Sequence, residues 1–139
     1  MSSLKTRTMK IVFLLGLFTV ILSISCTKSD VDRIFPRIKL EQCVKTPVEG
    51  EEVELCFQKL MDSRCPINAD CVWSGVGLAE LKLTAGTNVA TFTLATVDSL
   101  PQYRMDTTVF GYKVKLIAVD PYPGSQPGVQ PEITVDITK

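Results

Sequence analysis

The sequence of 139 residues contains no histidine and a single tryptophan. Without histidine the chain cannot form a Ser-His-Asp or Cys-His nucleophile pair, and it lacks the usual general base and the commonest zinc ligand. It also contains no glycine-rich phosphate loop, internal repeat or long run of one charge. Paired carboxylates could still perform acid–base chemistry, but the fifteen Asp and Glu are scattered among strand-like segments. We therefore expect a protein that is not an enzyme and that holds no metal or cofactor.

Basic residues are also scarce outside the first 25 residues. Removing the three Lys and Arg of that segment leaves twelve against fifteen Asp and Glu, a net charge of −3. A mildly acidic chain without a basic cluster lacks the electrostatic footprint of a nucleic-acid-binding protein. The remaining chain of about 113 residues is long enough for one domain with a hydrophobic core, but not for two.

The N-terminal segment is organised like an export signal. Lys5, Arg7 and Lys10 form a basic head, and residues 11–22 (IVFLLGLFTVIL) form an apolar run of twelve. Twelve residues rise ~18 Å as a helix, which is too short for a bilayer core of about 30 Å. A basic head, a short apolar run and then small residues are typical of a secretory signal peptide, which we assign to residues 1–25.

The apolar run leads into LSISC, residues 22–26, which resembles the lipobox of bacterial lipoproteins. The resemblance implies that Cys26 becomes the mature N-terminus and carries lipid such as palmitate, with residues 26–34 as the lipidated cysteine and a polar tether. Two or more acyl chains anchor a protein stably, so we expect a lipid-anchored protein of the bacterial cell envelope, at the outer membrane. Cleavage by an ordinary signal peptidase after Ser23 and Ser25 is the alternative.

The five cysteines are an odd number for an exported protein. Lipidation of Cys26 accounts for one of them. Four thiols in an oxidising compartment indicate two disulfides, which would be formed by Cys43, Cys56, Cys65 and Cys71.

After the signal the hydrophobic pattern has a period of two. Alternating apolar and polar residues predict strands at 38–44, 52–60, 78–84, 88–95, 112–119 and 132–139. The stretch 99–108 fits either a loop or a short helical turn. Half-buried antiparallel strands with short polar turns are typical of a sandwich or a small barrel. We therefore expect an all-β domain over residues 35–139, an antiparallel β-sandwich of immunoglobulin-like type, with a small β-barrel as second choice.

A turn centred between Glu49 and Gly50 would set the register of the first two strands. Residues opposite one another would then pair as Cys43–Cys56, Lys45–Glu54 and Glu41–Gln58. Opposite charges at facing positions favour this register. A facing pair of cysteines can be bridged without strain, so the pairing 43–56 and 65–71 is the best of the three connectivities.

The most distinctive stretch is DSRCPINADCVWSG, residues 62–75. DSRCP, four residues, C-x-W-x-G and then an alternating strand resemble a pattern in small lipoproteins and secreted proteins of Gram-negative bacteria. The pattern is carried by Asp62, Ser63, Arg64, Cys65, Pro66, Cys71, Trp73 and Gly75. We know of no established activity for that group, so the resemblance implies a secreted β-domain and supplies no function.

We interpret residues 62–75 as a loop between two strands that a 65–71 disulfide closes into a short ring. In the structural interpretation, Trp73 covers this disulfide as a core residue, and Arg64 pairs with Asp62 or Asp70. A loop that inserts into a partner is an alternative. Two metal sites are further alternatives: calcium bound by Asp62, Asn68 and Asp70, or a soft metal bound by reduced Cys65 and Cys71.

A second long loop, residues 120–131 (DPYPGSQPGVQP), contains four of the eight prolines. It can be an inert connection, but long ordered loops are more often functional. If it lies at the same end of the domain as residues 62–72, the two loops form one partner-binding rim with Asp62, Arg64, Asp70 and Tyr122 as contacts. We therefore expect a non-enzymatic binding or structural role, with a protein or glycan of the envelope as possible partner. A protease inhibitor or a similar loop-inserting regulator is the alternative.

Overall fold

The computed structural model describes residues 35–98 and 100–139. The predicted signal peptide, Cys26 and the tether lie outside these residues. The described chain forms eight strands. They are β1 (Arg37–Lys39), β2 (Cys43–Val48), β3 (Glu51–Asp62), β4 (Gly77–Ala85), β5 (Asn88–Ala95), β6 (Asp106–Val109), β7 (Tyr112–Asp120) and β8 (Glu132–Thr138).

The strands form two four-stranded antiparallel sheets, and the predicted β-sandwich is confirmed. Sheet A has the order β1-β8-β7-β6, and sheet B has the order β2-β3-β4-β5. Neighbouring strands within each sheet are consecutive in sequence, except that β1 pairs with β8. This is the strand order of an up-and-down barrel divided into two sheets. Immunoglobulin domains have Greek-key connections instead, so the immunoglobulin-like part of the prediction is not confirmed.

Alternate residues of both sheets face a single apolar core. Ala79, Leu81 and Leu83 of β4 are fully buried, as the period of two predicts. In β7 the alternation fails, because the ladder shifts between Leu116 and Ala118. Continuing the alternation of Val114 and Leu116 would bury Ala118, but beyond the bulge Val119 is the buried residue.

The single strand predicted over residues 38–44 is wrong. The chain pairs in sheet A up to Lys39, turns, and enters sheet B at Cys43. Glu41 has a φ of 64°, and the N–H of Gln42 donates to Lys39 O at 3.0 Å. Glu41 precedes β2, and its N–H donates to Phe57 O of β3 at 2.7 Å, so the predicted pairing of Glu41 with Gln58 does not form. The ambiguous stretch 99–108 contains the start of a strand, β6.

The register of the β2–β3 hairpin is confirmed. Cys43 lies opposite Cys56, and the next matching pair, 45 and 54, also forms as predicted. Glu49 and Gly50 have φ values of 49° and 86°, so a two-residue turn with both central residues at positive φ joins the strands. The ion pair of Lys45, however, is diagonal, with Glu52 at 3.4 Å.

Successive strands run in opposite directions, so their connections alternate between two ends of the sandwich. The loop end holds the connections 40–42, 63–76, 96–105 and 121–131, and the turn end holds 49–50, 86–87 and 110–111. In the part of the chain that the structure describes, no helix is long and apolar enough to cross a bilayer.

Candidate functional site: a stapled loop at the loop end

Both predicted disulfides are present. Cys43 and Cys56 are bonded with Cα atoms 3.9 Å apart, and Cys65 and Cys71 are bonded with Cα atoms 5.9 Å apart. The sulfurs of the 65–71 pair are therefore not free thiolates, and the soft-metal alternative is wrong. Two disulfides in one β-domain indicate an oxidising location outside the cytoplasm.

The base of the loop is closed by Ser63 and Gly75. The N–H of Ser63 donates to Val76 O at 2.9 Å, its hydroxyl donates to the same oxygen at 2.9 Å, and the N–H of Cys65 donates to Ser74 O at 2.8 Å. Gly75 has a φ of 71°, and a Cβ at this position would lie 1.8 Å from Ser63 O. The close backbone approach requires the glycine of the 62–75 motif, and the hydrogen bond of the hydroxyl to Val76 O explains the serine.

Arg64 fastens this loop to the other sheet. Its Nε and Nη2 donate to the two carboxylate oxygens of Asp62 at 2.9 and 2.7 Å, and its Nη1 donates to Val119 O at 2.9 Å. The guanidinium also lies over the ring of Tyr122, 4.8 Å from its centroid. Of the two pairings predicted for Arg64, the structure therefore has the one with Asp62.

The structure places the two predicted rim loops in contact at the loop end. The N–H of Ile67 donates to Pro123 O at 3.1 Å. Gly124 approaches so closely that a Cβ there would lie 2.9 Å from Asn68 Oδ1. The 63–76 and 121–131 loops therefore support one another.

The four predicted rim residues differ in what they can offer a partner. The side chains of Asp62 and Arg64 are only 17% and 10% exposed and are occupied by each other. Tyr122 is partly exposed with one ring face taken by the guanidinium, and Asp70 is exposed. Asp62 and Arg64 therefore position the loops, which leaves Tyr122 and Asp70 as surface groups.

The structure gives Asp62 a different role from that of a calcium ligand. Both of its carboxylate oxygens accept hydrogen bonds from Arg64, so its charge is balanced by the guanidinium, which disfavours an ion shared with Asn68 and Asp70. Among the described residues, three potential ligand groups do come together at Cys43, Glu54 and Cys56, but the two sulfurs there are bonded to each other. These residues give no support to a metal site.

Trp73 is exposed, and its predicted place in the core is wrong. Its side chain is 61% exposed because residues 71–76 precede β4, so the alternation of that strand does not extend back to it. Ile67 is 65% exposed, and Val72 is fully exposed. We call Ile67, Val72 and Trp73 the apolar tip. Composition could have identified these residues as apolar, but only the backbone path shows that they face solvent.

A polar groove lies beside the 121–131 loop. It encloses about 420 Å³ and is lined by side chains of both charges together with Tyr122. Arg37 and Glu132 of its wall form an ion pair at 3.6 Å. The loop end therefore combines an apolar tip with a groove of balanced charge.

Shifted pKa values occur at the turn end, away from the stapled loop. Lys139 Nζ donates to Glu51 Oε2 at 2.8 Å, and the hydroxyl of Tyr112 donates to the same oxygen. The hydrogen bond from Lys139, followed by that from Tyr112, lowers the pKa of Glu51 below its ordinary value of 4.5. Hydrogen bonding to Glu51 raises the pKa of Tyr112 and of Lys139. These directions hold Glu51 charged and the phenol neutral, which suits a structural clasp and supplies neither a general base nor a nucleophile.

Comparison with known protein families, with curated proteins and with solved structures finds no match. The resemblance of residues 62–75 to Gram-negative lipoproteins therefore stays a prediction.

Proposed function

We propose that the chain is a lipid-anchored protein of the bacterial cell envelope that binds another protein through the apolar tip, without catalysing a reaction. The observation that carries the proposal is the exposure of Trp73 on a loop whose backbone is fixed. Soluble domains normally shield large aromatic side chains, and aromatic residues are enriched at the centres of protein interfaces.

Burial of the tip would supply a substantial share of a binding energy. A tryptophan side chain can bury about 150–250 Å², and Trp73 still exposes 61%. At about 25 cal/mol per Å² of apolar surface, covering the exposed part would contribute about 2–4 kcal/mol. This is the range of an interface hot spot.

The loop is also ordered in advance of binding. The 65–71 disulfide, the hydrogen bonds of Ser63 and the clamp of Arg64 fix its two stems. A preorganised loop loses less conformational entropy when it docks, so more of the contact energy appears as affinity.

The anchor in the proposal comes from the lipobox-like residues that end at Cys26. The two disulfides support an extracytoplasmic location. A short polar tether, residues 27–34, spans at most ~28 Å when extended, so the domain would work close to the membrane that holds the lipid.

Photocrosslinking in intact cells tests the proposal. A photoreactive amino acid replaces Trp73 in the full chain, and the matched control replaces Ile117, an exposed apolar residue of β7. We expect a protein adduct of discrete mass from position 73 and none from position 117. Lipid adducts alone, no adduct at 73, or the same adduct from both positions would refute a protein-binding tip.

The fixed backbone of the stapled loop also favours a second candidate, a protease inhibitor or similar loop-inserting regulator. Such proteins present a rigid loop that fills an enzyme cleft, and Ile67 lies inside the disulfide ring where the loop projects. In that case the purified chain should inhibit an exported protease, and Ile67→Asp should abolish inhibition while Ile117→Asp should not. A chain that inhibits none of a panel of envelope and secreted proteases would exclude this candidate.

A further inference from the structure

The groove beside the 121–131 loop has a charged floor on the outer face of sheet A. Lys39, Asp120 and Glu132 line it, and each lies next to a buried strand residue, so all three side chains point away from the core. They form one row across the sheet, because Lys39 lies opposite Glu132 and Glu132 lies opposite Asp120. Neighbouring strands are about 4.8 Å apart, so the row spans ~10 Å. The floor therefore has a positive end and a negative end.

The two carboxylates of this row differ in their partners. Glu132 pairs with Arg37 at 3.6 Å, whereas within the part of the chain that the structure describes Asp120 has neither an ion pair nor a side-chain hydrogen bond. Like charges at facing positions of a ladder are destabilising, so Asp120 opposite Glu132 costs the fold some stability. Local costs of this kind are expected where a side chain serves a ligand. Asp120 is therefore an acceptor available to a molecule in the groove.

Tyr122 adds an aromatic surface to the same groove. The guanidinium of Arg64 covers one face of its ring, 4.8 Å from the centroid, yet the residue is 40% exposed. That guanidinium already uses the attraction of the ring for positive charge and would repel a second cation placed against it. The exposed part of the ring is therefore better suited to the uncharged C–H groups of a ligand.

The remaining polar lining is neutral. Ser125, Gln126 and Gln130 contribute a hydroxyl and two amides from the loop. Gln130 Nε2 donates to Leu40 O at 2.8 Å, which fixes this amide and leaves its oxygen as an acceptor. The groove therefore offers both donors and acceptors, while the two positive and two negative side chains of its lining cancel.

We propose that this groove binds a neutral saccharide, with the C–H face of a sugar ring packed on Tyr122 and its hydroxyl groups bonded to Asp120 and the loop amides. Each sugar hydroxyl both donates and accepts, which matches a lining of mixed donors and acceptors. The volume of about 420 Å³ lies near the lower end of the range of about 300–1,000 Å³ for small-molecule sites, which suits a mono- or disaccharide unit.

Charged ligands fit this part of the groove less well. Near Tyr122 an anion would meet the unpaired carboxylate of Asp120, and a cation would meet the guanidinium of Arg64. The saccharide site does not include the apolar tip, so it is a second binding function that does not depend on the protein-binding proposal.

Saturation-transfer NMR on the purified full chain, in a detergent without sugar groups, tests the proposal. The probes are maltose, cellobiose and diacetylchitobiose, with glucuronate and tri-alanine as an anionic and a zwitterionic comparison. We expect transfer to at least one of the neutral disaccharides, strongest at the C–H protons of one ring face, and none to the two comparison molecules. Transfer to none of the disaccharides, or equal transfer to tri-alanine or glucuronate, overturns the proposal.

Aromatic variants locate the binding. Tyr122→Leu should abolish the transfer. Phe110→Leu is the matched control, because Phe110 is an aromatic residue of similar exposure, 45%, at the turn end, and it should leave the transfer unchanged. Transfer that survives Tyr122→Leu, or that is lost equally in both variants, would show that the sugar does not bind in this groove.

Asp120→Asn separates a ligand-binding role from a structural one. It should weaken binding of the sugar about threefold or more, because a charged acceptor bonds more strongly than a neutral one. It should not lower the midpoint of urea unfolding, because it relieves the repulsion from Glu132. Asp70→Asn, at an exposed carboxylate of the stapled loop, should change neither quantity. Unchanged sugar binding by Asp120→Asn, or a lowered unfolding midpoint, would overturn the role given to Asp120.

Discussion

Arg64 bridges the two sheets through Asp62. The guanidinium donates two hydrogen bonds, of 2.9 and 2.7 Å, to the carboxylate at the end of β3, which orients it. It donates a third hydrogen bond to the carbonyl of Val119 in β7. A planar fork of donors is needed to make all three bonds at once. The pair therefore ties the stapled loop of sheet B to the end of sheet A, which sets the position of the apolar tip.

Arg64→Lys should destabilise the domain by about 2–3 kcal/mol, because lysine cannot reproduce the bidentate pair and leaves Val119 O without its donor. Urea unfolding of the purified chain measures this. Arg37→Lys is the matched control: its ion pair with Glu132 is 3.6 Å long and its side chain is 73% exposed, so it should change stability by no more than about 0.5 kcal/mol. Equal effects of the two substitutions would show that Arg64 has no clamping role.

Gly75→Ala should be among the most damaging substitutions in the loop. The new Cβ would stand 1.8 Å from Ser63 O, and the φ of 71° adds strain of its own. Gly86→Ala is the control, since Gly86 also has a positive φ, 58°, but has nothing within 4 Å of its Cβ position. We expect about 1–2 kcal/mol of lost stability for Gly86→Ala and more than about 3 kcal/mol for Gly75→Ala. Thermal unfolding would contradict the close approach if Gly75→Ala were the milder change.

The Glu51 clasp should make stability depend on acid pH. The pKa of Glu51 is lowered in the fold, so its contribution is present above the ordinary value of 4.5 and is lost as pH falls through the folded pKa. The melting temperature of Glu51→Gln should therefore lie below that of the unchanged chain at pH 7, and the gap should close below pH 4. Glu52→Gln, which loses an exposed ion pair with Lys45, should show no such pH-dependent gap. A gap that stays constant down to pH 3 would contradict the clasp.

Much of the fold could be predicted from the period of two. Strand positions, the sandwich, the 43–56 register and both disulfides follow from alternation, turn chemistry and cysteine arithmetic. The errors lie where the chain changes sheet or bulges. Glu41 at positive φ ends one strand and starts another without disturbing the alternation, so residues 38–44 look continuous in sequence. The bulge at Ile117 likewise moves burial from Ala118 to Val119.

The candidate site was less predictable than the fold. The 62–75 motif indicated a stapled loop and a pairing of Arg64, and the structure shows both. Its sequence could not show that Arg64 reaches Val119, a residue 55 positions away, because that contact depends on how the two sheets pack. It also placed Trp73 in the core, since an aromatic residue two positions after a cysteine resembles a strand residue. Residues 71–76 precede β4, so the alternation of that strand does not extend to Trp73, which faces solvent.

Lipid anchoring predicts that Cys26→Ser releases the protein from the membrane fraction or stalls its processing. The thiol of residue 26 is the proposed site of the lipid, and a serine cannot carry it in the same way. Fractionation and labelling with palmitate measure this in the exporting cell. Cys43→Ser is the control that replaces another cysteine without touching the anchor, since Cys43 is bonded to Cys56 within the domain. Two results together would rule out the anchor: the Cys26→Ser variant stays in the membrane fraction, and the wild-type chain takes up no palmitate.

The central claim is that the apolar tip binds a protein. Its most direct test is the affinity of the Trp73→Ser variant for the partner captured by photocrosslinking at position 73. Loss of a buried tryptophan hot spot of at least ~2 kcal/mol corresponds to binding about thirtyfold weaker. Phe110→Ser changes another exposed aromatic residue, at the turn end and 45% exposed, and should bind within about twofold of the unchanged chain. We expect this contrast in affinity while both variants keep the melting temperature of the wild type. Full affinity of Trp73→Ser for the partner would contradict it.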